Sequence, residues 1–188
     1  MCNTPFRHCK EECSDDDPIP HAHEGDCFAK NARNDEKNMN TRRRILEKLV
    51  NLYPPLLGAR IRSQNIDNLT IRVQLKMTFL NRNLVGVHFG GSLYAMCDPW
   101  FMLILMRALG KDYIVWDKAA NIQFLKPGLG TLNATFHIPQ ERVNEIRAQA
   151  DREYKVEPIF TMDVLNEQGE AVARVEKLLY VRRKKSAD

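Results

Sequence analysis

A single carboxylate lies in the most apolar stretch of the chain. Between Ser92 and Leu109 the only charged residues are Asp98 and Arg107. An ionised carboxylate is costly to bury alone, so Asp98 needs hydrogen-bond partners, a counter-charge or a cavity. A carboxylate in such a place suits a general base that activates water, or a nucleophile. The alternative is a structural aspartate bonded to backbone groups freed by Pro99, which has no N–H.

Two consecutive glycines, Gly90 and Gly91, stand at the start of the same apolar stretch. The first backbone N–H groups of a helix have no intrahelical acceptor and lie at the positive end of its dipole. Such donors can stabilise an oxyanion, and glycine lets a ligand approach the backbone closely. The alternative is that the glycines only permit a tight turn into the helix.

The apolar stretch itself predicts one long helix from Ser92 to Leu109, ended by Gly110. A helix that is apolar on every side lies either in a membrane or inside a protein core. Asp98 near its centre opposes membrane insertion by roughly 2.5–3.5 kcal/mol. The neighbouring segments are amphipathic, so we expect a buried core helix and no membrane.

Alternating segments flank this helix on both sides. Residues 70–77 alternate apolar and polar side chains, and with the segment around Ile61 they predict a β-hairpin. Four more strands are predicted after the helix, within residues 113–125, 131–138, 160–164 and 171–181, with a short helix from Pro139 between the second and third. This order predicts an α+β fold in which an antiparallel sheet wraps one helix.

The chain divides into a tail and a domain. Residues 1–40 are polar, contain four of the five cysteines and show no period, so we expect a flexible tail. Residues 41–188 form the predicted domain, which begins with an amphipathic helix capped by Thr41 and stopped by Pro54 and Pro55.

The tail contains residue types that bind zinc. They are Cys9, Cys13, His21 and His23. Their spacing matches no standard zinc finger and no apolar residues would pack around a metal. We therefore expect no metal site and no cofactor.

The charge and the first residues restrict partners and location. The net charge of +4 is small for 188 residues, and its basic runs lie near the two ends of the chain, so we expect no nucleic-acid partner. The first twenty residues contain Asp15, Asp16 and Asp17 and no continuous apolar run, which argues against a secretory signal or a transit peptide. We expect a cytoplasmic protein.

The segment Asn83–Gly91 (NLVGVHFGG), followed seven residues later by Asp98, resembles the signature of hotdog-fold acyl-CoA thioesterases of the phenylacetyl-CoA thioesterase type. The segments 90–96 and 111–118 are similar to a bacterial hotdog family catalogued as a domain of unknown function. The resemblance covers about Ala59 to Arg182. It implies a hotdog fold, a long central helix wrapped by an antiparallel β-sheet.

The resemblance also implies an activity and a site. It implies a thioester hydrolase in which Asp98 is the base or nucleophile, Gly90 or Gly91 binds the oxyanion and Asn83 orients water. The expected substrate-binding residues are His88, Phe89, Ser92 and Tyr94. In register with the family, Phe89 occupies the position of the family histidine, while His88 is its neighbour and would point the other way in an extended segment.

The spacing of Gly91 and Asp98 bears on assembly. On an ideal helix the rise between them is about 10 Å, so one thioester carbon cannot lie beside both in the same chain. We therefore expect shared sites in a homodimer or a dimer of dimers. The expected partner is a small-molecule acyl thioester of CoA or acyl carrier protein. The alternatives are a non-catalytic acyl-binding protein, a dehydratase acting on acyl thioesters, and a purely structural dimer.

Overall fold

The structure is a computed structural model that describes residues 49–184. Within these residues the named elements are six strands and four α-helices. The hairpin, the central helix and the later strands follow one another in the predicted order. Their bounds are α1 Pro54–Gly58, β1 Ile61–Asn65, β2 Thr70–Lys76, α2 Gly90–Ala95, α3 Trp100–Leu109, β3 Tyr113–Phe124, β4 Thr131–His137, α4 Gln140–Arg152, β5 Ile159–Leu165 and β6 Ala171–Arg183. A 3-10 turn, Phe79–Asn81, follows β2.

The six strands form one antiparallel sheet in the order β1-β2-β4-β5-β6-β3. The predicted hairpin of β1 and β2 is confirmed, with Ile61 opposite Leu75. The two sheet edges differ in length, since β1 has 5 residues and β3 has 12. The pairing of β3 with β6 shifts between Asp117 and Ala119, which places a β-bulge in the long edge strand.

The central helices pack in the core that the sheet encloses. The side chains of Trp100, Phe101, Ile104 and Leu105 are at most 2% exposed. The ring of Phe101 lies 5.1 Å from that of Phe136 on β4, in an edge-to-face arrangement. By length and composition the span 90–109 could cross a membrane, but these contacts make it the core helix of the domain.

The predicted single helix is interrupted, which corrects the sequence analysis. It begins at Gly90 rather than Ser92, ends at Ala95 and resumes at Trp100. Pro99 has no N–H to continue the ladder, and the indole of Trp100 donates to the carbonyl oxygen of Met96 at 2.6 Å. One side of α3 is also more open than predicted, since Met106 is 47% exposed.

The two prolines before β1 begin a short helix. Residues 49–51 are helical, and Pro54 and Pro55 occupy the first turn of α1, where a missing N–H costs nothing. The sequence analysis did not predict this second short helix. The predicted cap Thr41 and the predicted tail 1–40, with its Cys and His residues, lie outside the described residues.

Candidate functional site

The side chain of Asp98 lies in the break between α2 and α3. It is 50% exposed, and the hydroxyl of Tyr94, one turn earlier, donates to its Oδ1 at 2.9 Å. The ammonium of Lys177 donates to the same oxygen at 3.0 Å. Within residues 49–184 both partners act on Oδ1, so Oδ2 is the oxygen left for another group.

Lys177 is the residue of this site that the sequence analysis missed. It lies on β6, where Val175, Leu179 and their alternating neighbours face the core, and its side chain is 1% exposed. Lysine is almost never fully buried unless it is paired. Its place in a period-2 apolar pattern was the signal that could have identified it.

Asp117 on β3 is the second carboxylate beside Lys177. Its Oδ1 lies 3.1 Å from the ammonium and its side chain is 25% exposed. That oxygen is buried without a well-aligned hydrogen bond, so its interaction with Lys177 is an ion pair only. Burial raises the pKa of Asp117, against the opposing effect of Lys177. The bulge that begins after Asp117 lies beside this pair.

Four groups thus share one network. Burial alone lowers the pKa of Lys177, but hydrogen bonds and charges from Asp98 and Asp117 outweigh it, so the pKa lies above its ordinary value. Burial and then the bond to Asp98 raise the pKa of Tyr94. At neutral pH Lys177 is therefore an ammonium ion and Tyr94 a neutral hydrogen-bond donor.

The exposed side of Asp98 opens onto a groove of about 460 Å³ between α3 and the residues that precede β1. Apart from Asp98, the side chains that line it are apolar or aromatic. They are Leu49, Val50, Tyr53, Pro55, Leu56, Ala95, Pro99 and Leu103. Apolar pockets of this size with a few polar groups are typical of small-molecule sites.

The glycine pair at the start of α2 is covered by aromatic rings. A Cβ on Gly90 would meet the Phe124 ring at 3.1 Å, and one on Gly91 would clash with the Phe89 ring. Leu93 makes the first bond of the turn, its N–H donating to the carbonyl of Phe89 at 3.1 Å. The contacts of Gly90 and Gly91 do not reach Asp98, which bonds Tyr94 and Lys177.

His88 and Phe89 point in opposite directions, as their extended backbone predicts. His88 is 3% exposed and Phe89 is 57% exposed. Nε2 of His88 lies 2.9 Å from the carbonyl oxygen of Gly130, while Nδ1 is buried without a partner. Burial lowers the pKa of His88, so the ring is neutral and Nε2–H donates to Gly130. His88 therefore joins the segment before α2 to the loop before β4.

Asn83 and Ser92, two other predicted site residues, lie in the loop before α2 and on α2. The Asn83 side-chain oxygen accepts from the N–H groups of Val85 and Val87 at 3.0 and 3.1 Å, within its own loop. Ser92 is 9% exposed on the inner side of α2. The structure thus brings Tyr94 to Asp98, whereas Asn83 acts within a loop before α2.

Asn81, which the sequence analysis did not single out, anchors that loop. It is 2% exposed, and its amide donates to the carbonyl oxygens of Ala59 and Lys76 at 2.7 and 2.8 Å. Its side-chain oxygen accepts from the N–H of Thr78 at 2.7 Å. The backbone N–H of Phe89 donates to the backbone carbonyl of Asn81 at 2.8 Å, so the side chain and the backbone of one buried residue together connect these segments around α2.

An antiparallel sheet around a central helix defines a hotdog fold. The chain belongs to the family described as Domain of unknown function (DUF4442), which matches residues 41–181. This confirms the resemblance drawn from the sequence. No curated protein matches the chain.

Solved structures share the fold. A Pseudomonas aeruginosa protein of unknown function, described as a probable thioesterase, is 19% identical with a TM-score of 0.67, over 75% of this chain and 95% of that one. A thioesterase from Haemophilus influenzae is 14% identical with a TM-score of 0.54, over 73% and 88%. The E. coli PaaI protein from the phenylacetic acid degradation operon is 17% identical with a TM-score of 0.50, over 73% and 89%. At these identities the likeness shows the fold.

Proposed function

We propose that the protein hydrolyses acyl thioesters, with Asp98 as the base that activates water. The observation that carries this proposal is the half-exposed carboxylate of Asp98 on the wall of an apolar groove, with its Oδ1 held and its Oδ2 left for water. A carboxylate fixed beside a cavity meets the geometric requirement for a general base. The thioesterase fold of the similar structures supports the same reaction.

The reaction balances with groups of this chain alone. Oδ2 of Asp98 takes a proton from water as the water oxygen bonds to the thioester carbon. The tetrahedral intermediate then collapses, the C–S bond breaks, and the thiolate takes the proton back from Asp98. The products are a carboxylic acid and a free thiol, and Asp98 returns to its ionised form.

The oxyanion of the intermediate needs donors from elsewhere. The N–H groups of Gly90 or Gly91 are our proposed donors, with Asn83 orienting water and Phe89, Ser92, Tyr94 and His88 around the substrate. The central helix is interrupted at residues 96–99. The rise of about 10 Å expected for an ideal helix therefore does not give the distance between Gly91 and Asp98. Gly91 lies in the first turn of α2 and Asp98 lies in the break after that helix, and the contacts of the glycines do not reach Asp98, which favours a site completed by a second subunit.

A homodimer would form through the free edge of β3, which carries twelve residues without a partner on that side within the described chain. Trp116 on this strand is 63% exposed and Phe124 is 58% exposed. An exposed, partly apolar edge strand is a template for pairing with another strand. We propose that two copies pair here, as dimers or as dimers of dimers.

The substrate class follows from the groove. Its apolar lining suits an acyl chain, and Asp98 at its wall would place water beside the thioester carbon. The thiol partner is CoA or acyl carrier protein, and we propose a cytoplasmic location because both carriers act there. No bound cofactor is needed for this reaction.

A thiol-trapping assay with a panel of acyl-CoA and acyl carrier protein thioesters tests the proposal. We expect turnover by the full chain and a loss of at least about a hundredfold in kcat for Asp98→Asn, the range for a positioned general base. Asp163→Asn is the matched control, because Asp163 forms an ion pair with Arg174 away from the groove. Equal activity of Asp98→Asn and the unsubstituted chain would refute the proposal.

One observation favours a second candidate, a non-catalytic acyl-binding protein. Phe89 stands where the enzymes that the sequence resembles have a histidine, and its side chain has no group that can donate or accept a proton. For this candidate we expect saturable binding of an acyl-CoA, measured by calorimetry, with no release of thiol over hours. Thiol release that depends on Asp98 excludes it.

A further inference from the structure

We propose that Lys177 is a positioning residue that holds the Asp98 carboxylate in the orientation needed for proton abstraction, and that Asp117 anchors Lys177 for this task. The inference deepens the proposed function and rests on it. Lys177 touches no position open to substrate, since its side chain is 1% exposed. It acts through Asp98 alone.

The ammonium of Lys177 has three oxygen neighbours. It donates to Oδ1 of Asp98 at 3.0 Å and to the Tyr94 hydroxyl at 3.3 Å, and it forms an ion pair with Oδ1 of Asp117 at 3.1 Å. Tyr94 in turn donates to Asp98, so Oδ1 is held from two directions. A carboxylate held in this way keeps one orientation, which is what a base beside a bound substrate requires.

The cost of the arrangement argues against a purely structural role. A buried ion pair is often no more stabilising than apolar side chains of the same volume. The neighbouring inward positions of β6, Val175 and Leu179, are fully buried and apolar. A lysine in this row places a charge in the core. Of its partners, Asp98 is half-exposed and lines the groove, so the lysine can act on a bound molecule through Asp98.

The titratable groups around Asp98 come from several elements. They are Tyr53 across the groove, Tyr94 on α2, Cys97 in the break, Asp117 on β3 and Lys177 on β6. Lys177 is the only cation among these groups. Removing the lysine therefore leaves Asp98 without a counter-charge and leaves Tyr94 as the one remaining donor of the two that hold its Oδ1.

The experiment measures kcat and KM for acyl-CoA thioesters with full-length protein. We expect Lys177→Met to lower kcat by roughly tenfold to a hundredfold, because the Asp98 carboxylate loses one of the two donors that hold it in place. KM should change much less than kcat, since Lys177 does not touch the groove. Lys177→Arg, which keeps the charge and its donors, should recover most of kcat.

Two further variants keep the test decisive if Lys177→Met does not fold. Lys177→Met with Asp117→Asn removes both buried charges, so it leaves no unpaired ion in the core, and kcat should still fall. Lys155→Met is the surface control, because Lys155 is exposed and pairs with Glu157, and it should change neither kcat nor KM.

The outcomes separate the inference from the proposed function. An unchanged kcat in a folded Lys177→Met variant overturns the inference, even where Asp98→Asn abolishes turnover. No release of thiol from any substrate by the unsubstituted chain overturns the proposed function and with it the catalytic purpose of Lys177. A lowered kcat with a nearly unchanged KM, recovered by Lys177→Arg, supports both.

Discussion

The ammonium of Lys177 lies 3.0 Å from Oδ1 of Asp98, although 79 residues separate them in the chain. Asp98 stands where the central helix breaks before Pro99, and Lys177 stands on the inner face of β6. The break turns the carboxylate toward both the core cation and the groove. A buried ammonium and a half-exposed carboxylate thereby belong to one network.

The groove predicts how acyl length is selected. Leu103 lines it, so Leu103→Trp should fill part of the space and lower kcat/KM for long acyl thioesters by at least about tenfold, since even one methylene can contribute that much in an apolar pocket. Acetyl thioesters should be affected much less. The measurement is kcat/KM across a series of acyl lengths.

Met106→Trp is the matched control for the groove, because Met106 lies on the same helix, is 47% exposed and does not line that space. Its chain-length profile should match that of the unsubstituted protein. If both tryptophan variants changed the profile alike, the groove would not be the acyl site.

The open edge of β3 predicts how copies associate. Consecutive N–H groups of a strand point to opposite edges, so one of Ala120 and Asn121 faces β6 and the other faces outward. Both residues are exposed and lie past the bulge. Proline at the outward-facing residue should leave the circular dichroism spectrum unchanged and convert the dimer to a monomer, measured by sedimentation equilibrium. Proline at the residue that faces β6 should unfold the strand.

A monomer at all concentrations for the unsubstituted chain would contradict this arrangement. So would a dimer that survives both proline variants with the fold intact, since at least one of the two must remove an N–H from the outer edge.

Asn81 should be important for stability rather than chemistry. Asn81→Ala leaves the carbonyls of Ala59 and Lys76 and the N–H of Thr78 without their buried partner. We expect the free energy of unfolding to fall by about 2–4 kcal/mol, measured by urea denaturation. Asn144→Ala, on the exposed side of α4, is the control and should change it by no more than about 0.5 kcal/mol.

Cys97 predicts a loss of stability at alkaline pH. Burial raises the pKa of its thiol to about 12, above its ordinary 9.0, so the folded protein keeps a proton that the unfolded chain releases. The contribution of the protonated thiol to the free energy of unfolding is complete below pH 9 and is lost as pH rises toward 12. Between pH 8 and 10.5 the free energy of unfolding should fall by about 2 kcal/mol for this reason.

Urea denaturation of the unsubstituted chain and of Cys97→Ala, both under reducing conditions, isolates this term. The difference between their unfolding free energies should shrink over the same pH range, because alanine has no proton to lose. A difference independent of pH would show that the thiol is not held protonated by the fold.

Much of the architecture was predictable because it depends on local patterns. The alternation in residues 70–77 and 131–138 places one face of each strand in the core, whatever the rest of the chain does. Asp98 was identifiable from local sequence as well, because a carboxylate within an apolar run is costly to bury without a partner or a cavity. The opposite directions of His88 and Phe89 also followed from the period of an extended segment.

Other features depended on which segments meet. The partners of Asp98 could not be read from its neighbours, because Lys177 reaches it only when β6 pairs with β3 and both curl around the helix. The groove beside the helix break and the anchoring by Asn81 likewise arise from packing between segments that are apart in the chain. Local periodicity therefore decides strands, helices and faces, while the charges that set the chemistry of Asp98 come together only through the tertiary fold, which brings a buried lysine to it across the core.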